Sequence, residues 1–133
     1  MKKILGVFAL LLLLTLFVMA CGGGNSSGTS GSGSNNNNTV GLTANNFAQS
    51  SITIQKGQSV TLTNQTATVH IIANGSWNGN TPDPKTEAGA PVVNNLMLNS
   101  ANQTQSIGPF NTAGTFHYYC SVHPDMNLTV IVQ

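Results

Sequence analysis

The 133-residue chain carries four lysines, no arginine and three acidic residues, so that charged side chains make up only 5% of it. Such a length leaves room for one ordinary core once the terminal segments are set aside. The sparse charge excludes the basic patch that nucleic acid recognition requires. With Lys2 and Lys3 at the extreme N-terminus, the remainder sets Lys56 and Lys85 against Asp83, Glu87 and Asp125 and is close to neutral.

In chain order, the first element is an export signal. Met1-Lys2-Lys3 is a basic n-region, and Ile4 to Val18 is a nearly unbroken, leucine-rich apolar run. That run is short for a membrane span of about 20 residues, and it ends in Val18-Met19-Ala20-Cys21, which resembles a bacterial lipobox. The resemblance implies that residues 1–20 are a lipoprotein signal peptide and that Cys21 is the lipidated first residue of an extracytoplasmic, membrane-anchored protein. From Gly22 to Thr39 the chain is Gly, Ser, Asn and Thr alone, a composition with nothing to bury. Residues 21–39 are therefore expected to form a flexible tether, with a reach on the order of 20–25 Å. If Cys21 is lipidated, Cys120 has no intramolecular partner. An unpaired cysteine in an exported protein points to a metal, a reactive thiol or an intermolecular bridge.

Residues 40–133 form the folded domain. They show no sustained helical period, and short stretches rich in Val, Ile, Thr, Tyr and Phe recur between Gly, Asn and Pro clusters. Strands are predicted near Val40–Asn45, Ser51–Ile54, Ser59–Asn64, Thr68–Ala73, Thr104–Ile107, Thr115–Cys120 and Asn127–Val132. The expected fold is an all-β Greek-key sandwich of about seven to eight strands. In Ser59-Val60-Thr61-Leu62-Thr63 polar and apolar residues alternate as in a half-buried strand, and Leu128 to Val132 is apolar enough to lie between sheets. Residues 74–103 read differently, with Trp77, Thr81-Pro82-Asp83-Pro84 and Ala88-Gly89-Ala90-Pro91. So long a connection without structure is uncommon, and an edge strand or helical turn is expected around Pro91–Leu98.

The chemistry is concentrated near the C-terminus. Tyr119-Cys120-Ser121-Val122-His123-Pro124-Asp125-Met126 sets a thiolate, an imidazole and a thioether at i, i+3 and i+6. Soft sulfur donors with a borderline imidazole select copper. A methionine is foreign to zinc sites, and calcium and magnesium take oxygen ligands. A further donor must come from elsewhere, and His70 in Thr68-Val69-His70-Ile71-Ile72 is the best source. Alone it would read as a hydrogen-bonded core histidine; beside the distal donor loop it reads as a ligand. His117, between Phe116 and Tyr118, is expected to face solvent. Met97 and Trp77 are expected to serve packing, the latter in the core or at an interface, and Met19 belongs to the signal.

These residues resemble the cupredoxins, most closely the plastocyanin and amicyanin branch, across residues 40–133. Ala113-Gly114-Thr115-Phe116-His117-Tyr118-Tyr119-Cys120 is similar to the family's final ligand strand, and Gly57 to Asn64 to the strand before its first histidine. The two-residue gaps in the Cys120, His123, Met126 loop, with Pro124, resemble the shortest ligand loop, the amicyanin type. Leu62-Thr63 departs from the family, which often has an aromatic there, and residues 74–103 match nothing in it. The resemblance implies one copper ion, with His70, Cys120 and His123 in a near-plane and Met126 as a long axial donor. It also implies that Asn64 hydrogen-bonds across to Ser121.

The implied function is one-electron transfer by a monomeric carrier, with the edge of His123 as port, between redox proteins of an electron-transport chain. It is not an enzyme: Met126 has no place beside a Cys–His nucleophile, and three histidines are too few for a multicopper oxidase. The alternatives are a copper delivery or storage module with the same ligands, and a metal-free adhesion sandwich that leaves the donor loop without a role.

Overall fold

The computed structural model describes residues 37–133; the expected signal peptide, Cys21 and nearly all of the tether lie outside the described residues. The described residues form ten strands: β1 (Thr39–Leu42), β2 (Ser51–Ile54), β3 (Val60–Asn64), β4 (His70–Asn74), β5 (Ser76–Asn78), β6 (Thr81–Asp83), β7 (Leu96–Leu98), β8 (Thr104–Ile107), β9 (Gly114–Cys120) and β10 (Asn127–Val132). A three-stranded sheet in the order β1-β3-β8 faces a five-stranded sheet in the order β2-β10-β9-β4-β7, and β5 and β6 form a separate hairpin. The pairs β1–β3 and β2–β10 are parallel, and the others are antiparallel. This is the all-β sandwich expected.

Alternation along the strands builds the core. In β3 the residues Val60 and Leu62 turn inward and the threonines between them do not; in β10 Leu128, Val130 and Val132 are buried and the intervening residues only partly so. Val40 and Leu42 of β1, Ile72 of β4, Leu98 of β7 and Phe116 and Tyr118 of β9 are buried with them. Phe110 fills the middle, 5.8 Å from the Phe116 ring and edge-on to Tyr118 at 6.0 Å. Each such aliphatic or aromatic side chain contributes about 1.5–3 kcal/mol on burial.

The stretch after β4 contains more structure than its composition announces. Gly75, with φ +124°, takes the chain from β4 into the β5–β6 hairpin; a side chain there would collide with the Asp83 carbonyl. Beyond the hairpin, the Asn74 side chain donates to Pro91 O at 3.1 Å and accepts from the Val93 N–H. The Tyr118 hydroxyl donates to the same Pro91 carbonyl. Pinned there, the chain enters β7, the edge strand expected in this region. Met97, expected in the core, is instead about half exposed, because the inward position of β7 goes to Leu98.

Candidate metal centre

The residues of the site come from two elements with different reasons for their placement. His70 opens β4, whose burial alternates from that residue onward, so its ring points between the sheets with Ile72 and is fully buried. The loop leading to it is held by Asn64. The buried Asn64 amide donates to Thr68 O at 2.8 Å, and its Oδ1 accepts from the Thr66 N–H at 3.3 Å, closing a turn of the kind Asn favours.

Cys120 closes β9, on the same inward alternation as Phe116 and Tyr118. Its neighbour Tyr119 is also buried, against the alternation, because the hairpin covers the outer face of β9 there: Trp77 meets the Tyr119 ring edge-on at 5.9 Å. The chain then turns back into β10. Pro124 presets its backbone, Asp125 adopts φ +61°, and the Met126 N–H donates to His123 O at 3.3 Å, the pattern of a tight turn with a left-handed third residue. The Cys120 N–H donates to Met126 O at 3.0 Å. This double tie brings Met126 back beside Cys120, and the Met126 side chain is fully buried.

The result is a convergence of donors. Cys120 Sγ lies 3.8 Å from His70 Nδ1 and 3.4 Å from His123 Nδ1, and one ligand atom from each of the three residues lies within 4.8 Å of the others. The two imidazole rings are 4.9 Å apart, inclined at 53°. Burial pushes the His70 pKa down, the nearby His123 adds to this, and the Thr43 backbone opposes it weakly. Among the described residues, no partner lies in hydrogen-bond geometry to the buried Nε2 of His70. A neutral imidazole keeps a nitrogen lone pair for a metal. A thiol and two imidazole nitrogens in one place, with the buried Met126 on the same short loop, are the donor chemistry of copper, and the residues fit the ion.

Residues 35–133 match the model of the copper binding proteins of the plastocyanin/azurin family. The chain belongs to that family. Its fold is similar to amicyanin from Paracoccus versutus (Thiobacillus versutus), at 25% identity and a TM-score of 0.54 over 71% of this chain and 79% of that one. A reduced amicyanin mutant matches at 22% identity and a TM-score of 0.54, covering 71% and 80%. An amicyanin mutant in the Cu(I) form matches at 22% and 0.50 over the same shares. No curated protein sequence matches the chain. Family membership establishes copper as the cofactor and, in general terms, a blue-copper electron carrier as the kind of protein.

Two neighbouring positions behave otherwise than expected. Asn64 does not bond to Ser121. Its amide is taken by Thr68 four residues away, a partner within the same loop, and Ser121 instead joins the two ligand segments by donating from its N–H and its hydroxyl to Ile71 O, at 2.8 and 3.3 Å. His117 does face outward, where its Nδ1 lies 2.7 Å from Glu87 Oε1. Trp77 contributes a bond the sequence does not announce: its indole N–H donates to Cys120 O at 2.8 Å. Only the aromatic residue itself was visible beforehand, as its partner lies 43 positions away.

Proposed function

We propose that the protein is a one-electron shuttle whose copper would be held by His70, Cys120 and His123, with Met126 as a weaker fourth donor. The observation that carries this reading is the thiol of Cys120 facing the Nδ1 atoms of both histidines. Bound there, copper supplies a Cu(I)/Cu(II) couple. The protein supplies a donor set held by two strands and a tight turn, so that little need move when the charge changes. Partly buried His123 is the port. The half-exposed Val69 and Val122, each adjoining a donor histidine, support docking by apolar contact. The partners are redox proteins of an electron-transport chain, and the carrier acts as a monomer rather than as an enzyme.

The Met1–Cys21 pattern supports export and lipidation of Cys21, with the tether holding the domain outside the membrane that carries the anchor. Substituting Cys21→Ala in the producing cell should move the protein from the membrane to the soluble fraction; an unchanged membrane fraction refutes the anchor. For the centre, the full chain is titrated with cupric ion while the visible spectrum and voltammogram are recorded. Intense absorption with a reversible one-electron wave is expected. A colourless, redox-silent complex would mean copper delivery or storage instead.

A further inference from the structure

At the end of β9 the ladder with β10 comes apart. The Cys120 N–H still reaches Met126 O, but the returning Met126 N–H, which would face the Cys120 carbonyl in a continued antiparallel pair, is turned into the loop and donates to His123 O. The Cys120 carbonyl therefore lacks that ladder donor at the residue that carries the thiol. The indole N–H of Trp77 supplies one, at 2.8 Å.

The indole is itself held. Its backbone N–H donates to Asn127 Oδ1 at 2.7 Å, and the Asn127 amide donates back to Trp77 O at 3.2 Å, a reciprocal pair that fixes the hairpin strand to the first residue of β10. The ring rests edge-on against Tyr119, and the Gly75 N–H joins the start of the hairpin to His117 O at 3.0 Å. A short, largely exposed hairpin thus has its one well-anchored side chain aimed at the cysteine backbone.

We infer that Trp77 is a positioning residue for the copper thiolate: its indole N–H replaces the missing ladder donor on Cys120 and fixes the backbone from which the sulfur projects. The inference rests on Cys120 as a copper ligand. Hydrogen bonds outside the ligands commonly change metal affinity by about 10–100-fold when lost.

Trp77 is the single tryptophan of the chain, so the 15N-labelled full-length protein has one indole N–H resonance. That resonance should be protected from solvent exchange in the metal-free protein and should move on loading with Cu(I). An unprotected indole, or one indifferent to Cu(I), overturns the inference. Trp77→Phe keeps a ring against Tyr119 and deletes the N–H. It should bind cupric ion at least about tenfold more weakly and shift the thiolate-to-copper absorption band, with the circular dichroism of the metal-free protein unchanged. Wild-type affinity and an unmoved band in Trp77→Phe overturn the positioning role alone. A wild-type protein that ignores cupric ion overturns the ligand assignment with it. Should Trp77→Phe not fold, the indole resonance of the wild type decides.

Discussion

Cys120 Sγ and His123 Nδ1 lie 3.4 Å apart across the turn that ends in Met126. The two donors are three residues apart in sequence, and the turn is closed by bonds of its own backbone, so this half of the centre is assembled locally. His70 arrives from the neighbouring strand, whose pairing sets Ile72 opposite Cys120. With copper bound there as proposed, preassembly of this kind would keep the ligands close to one arrangement in both oxidation states.

Met126→Leu tests Met126 as a donor. The exchange conserves volume and should change the stability of the metal-free protein by less than about 1.5 kcal/mol. Copper should still bind through the other three donors. Loss of the thioether removes a donor that favours the cupric state, so the reduction potential measured by voltammetry should rise. An unchanged potential would leave Met126 a core residue only.

Electron transfer to a partner protein should depend weakly on salt. The described domain carries only Lys56, Lys85, Asp83, Glu87 and Asp125 as its Lys, Asp and Glu complement, and the residues flanking the donor histidines at Val69 and Val122 are apolar. Stopped-flow rates should change by less than about threefold as the Debye length falls from about 30 Å to about 8 Å. A steep fall would reveal electrostatic docking.

The Glu87–His117 pair sets an acid limit. Burial of Glu87 raises its pKa, but hydrogen bonds from the His117 side chain and backbone outweigh this and hold it below the usual value. A carboxylate whose folded pKa is depressed contributes stability above its unfolded pKa, about 4.3, and loses it as pH falls through the lower folded value. Glu87→Gln should flatten that acid decline in thermal melts of the metal-free protein. Both side chains are partly solvated, at 23% and 44%, so at neutral pH the variant should lose less than about 1 kcal/mol.

Asp125 stands in the left-handed region at φ +61°, which a β-branched residue tolerates poorly. Asp125→Val should destabilise the metal-free protein by about 1–2 kcal/mol in denaturant titration, whereas Asp125→Gly should be tolerated.

The elements most legible in the sequence are those governed by local pattern. Strict alternation in Val60–Asn64, the apolar run Leu128–Val132, and the close spacing of Cys120, His123 and Met126 need no knowledge of distant contacts. His70 was legible through the same alternation once the donor loop was recognised. The β5–β6 hairpin was not: its strands are three residues each, one contains Pro82 and is wholly exposed, and no periodicity survives at that length. Its place against β9 and β10 is tied by partners remote in the chain, Asn127 to Trp77 and His117 to Gly75. Met97 misled for a similar reason, since Leu96-Met97-Leu98 is apolar throughout and only pairing with β4 decides which side chain turns inward. Asn64 and Ser121 were placed by likeness to relatives, and a nearer acceptor at Thr68 won.

β10 completes the five-stranded sheet last in chain order. It lies in the interior of the five-stranded sheet, between β2 and β9, although it comes after both in sequence. A chain emerging from its N-terminal side therefore has β2 and β4 in hand long before the strand that must separate β2 from β9. Three of the four proposed donors, Cys120, His123 and Met126, emerge immediately before that strand. Withholding residues 127–132 should therefore abolish folding and, with it, the approach of His70 to Cys120.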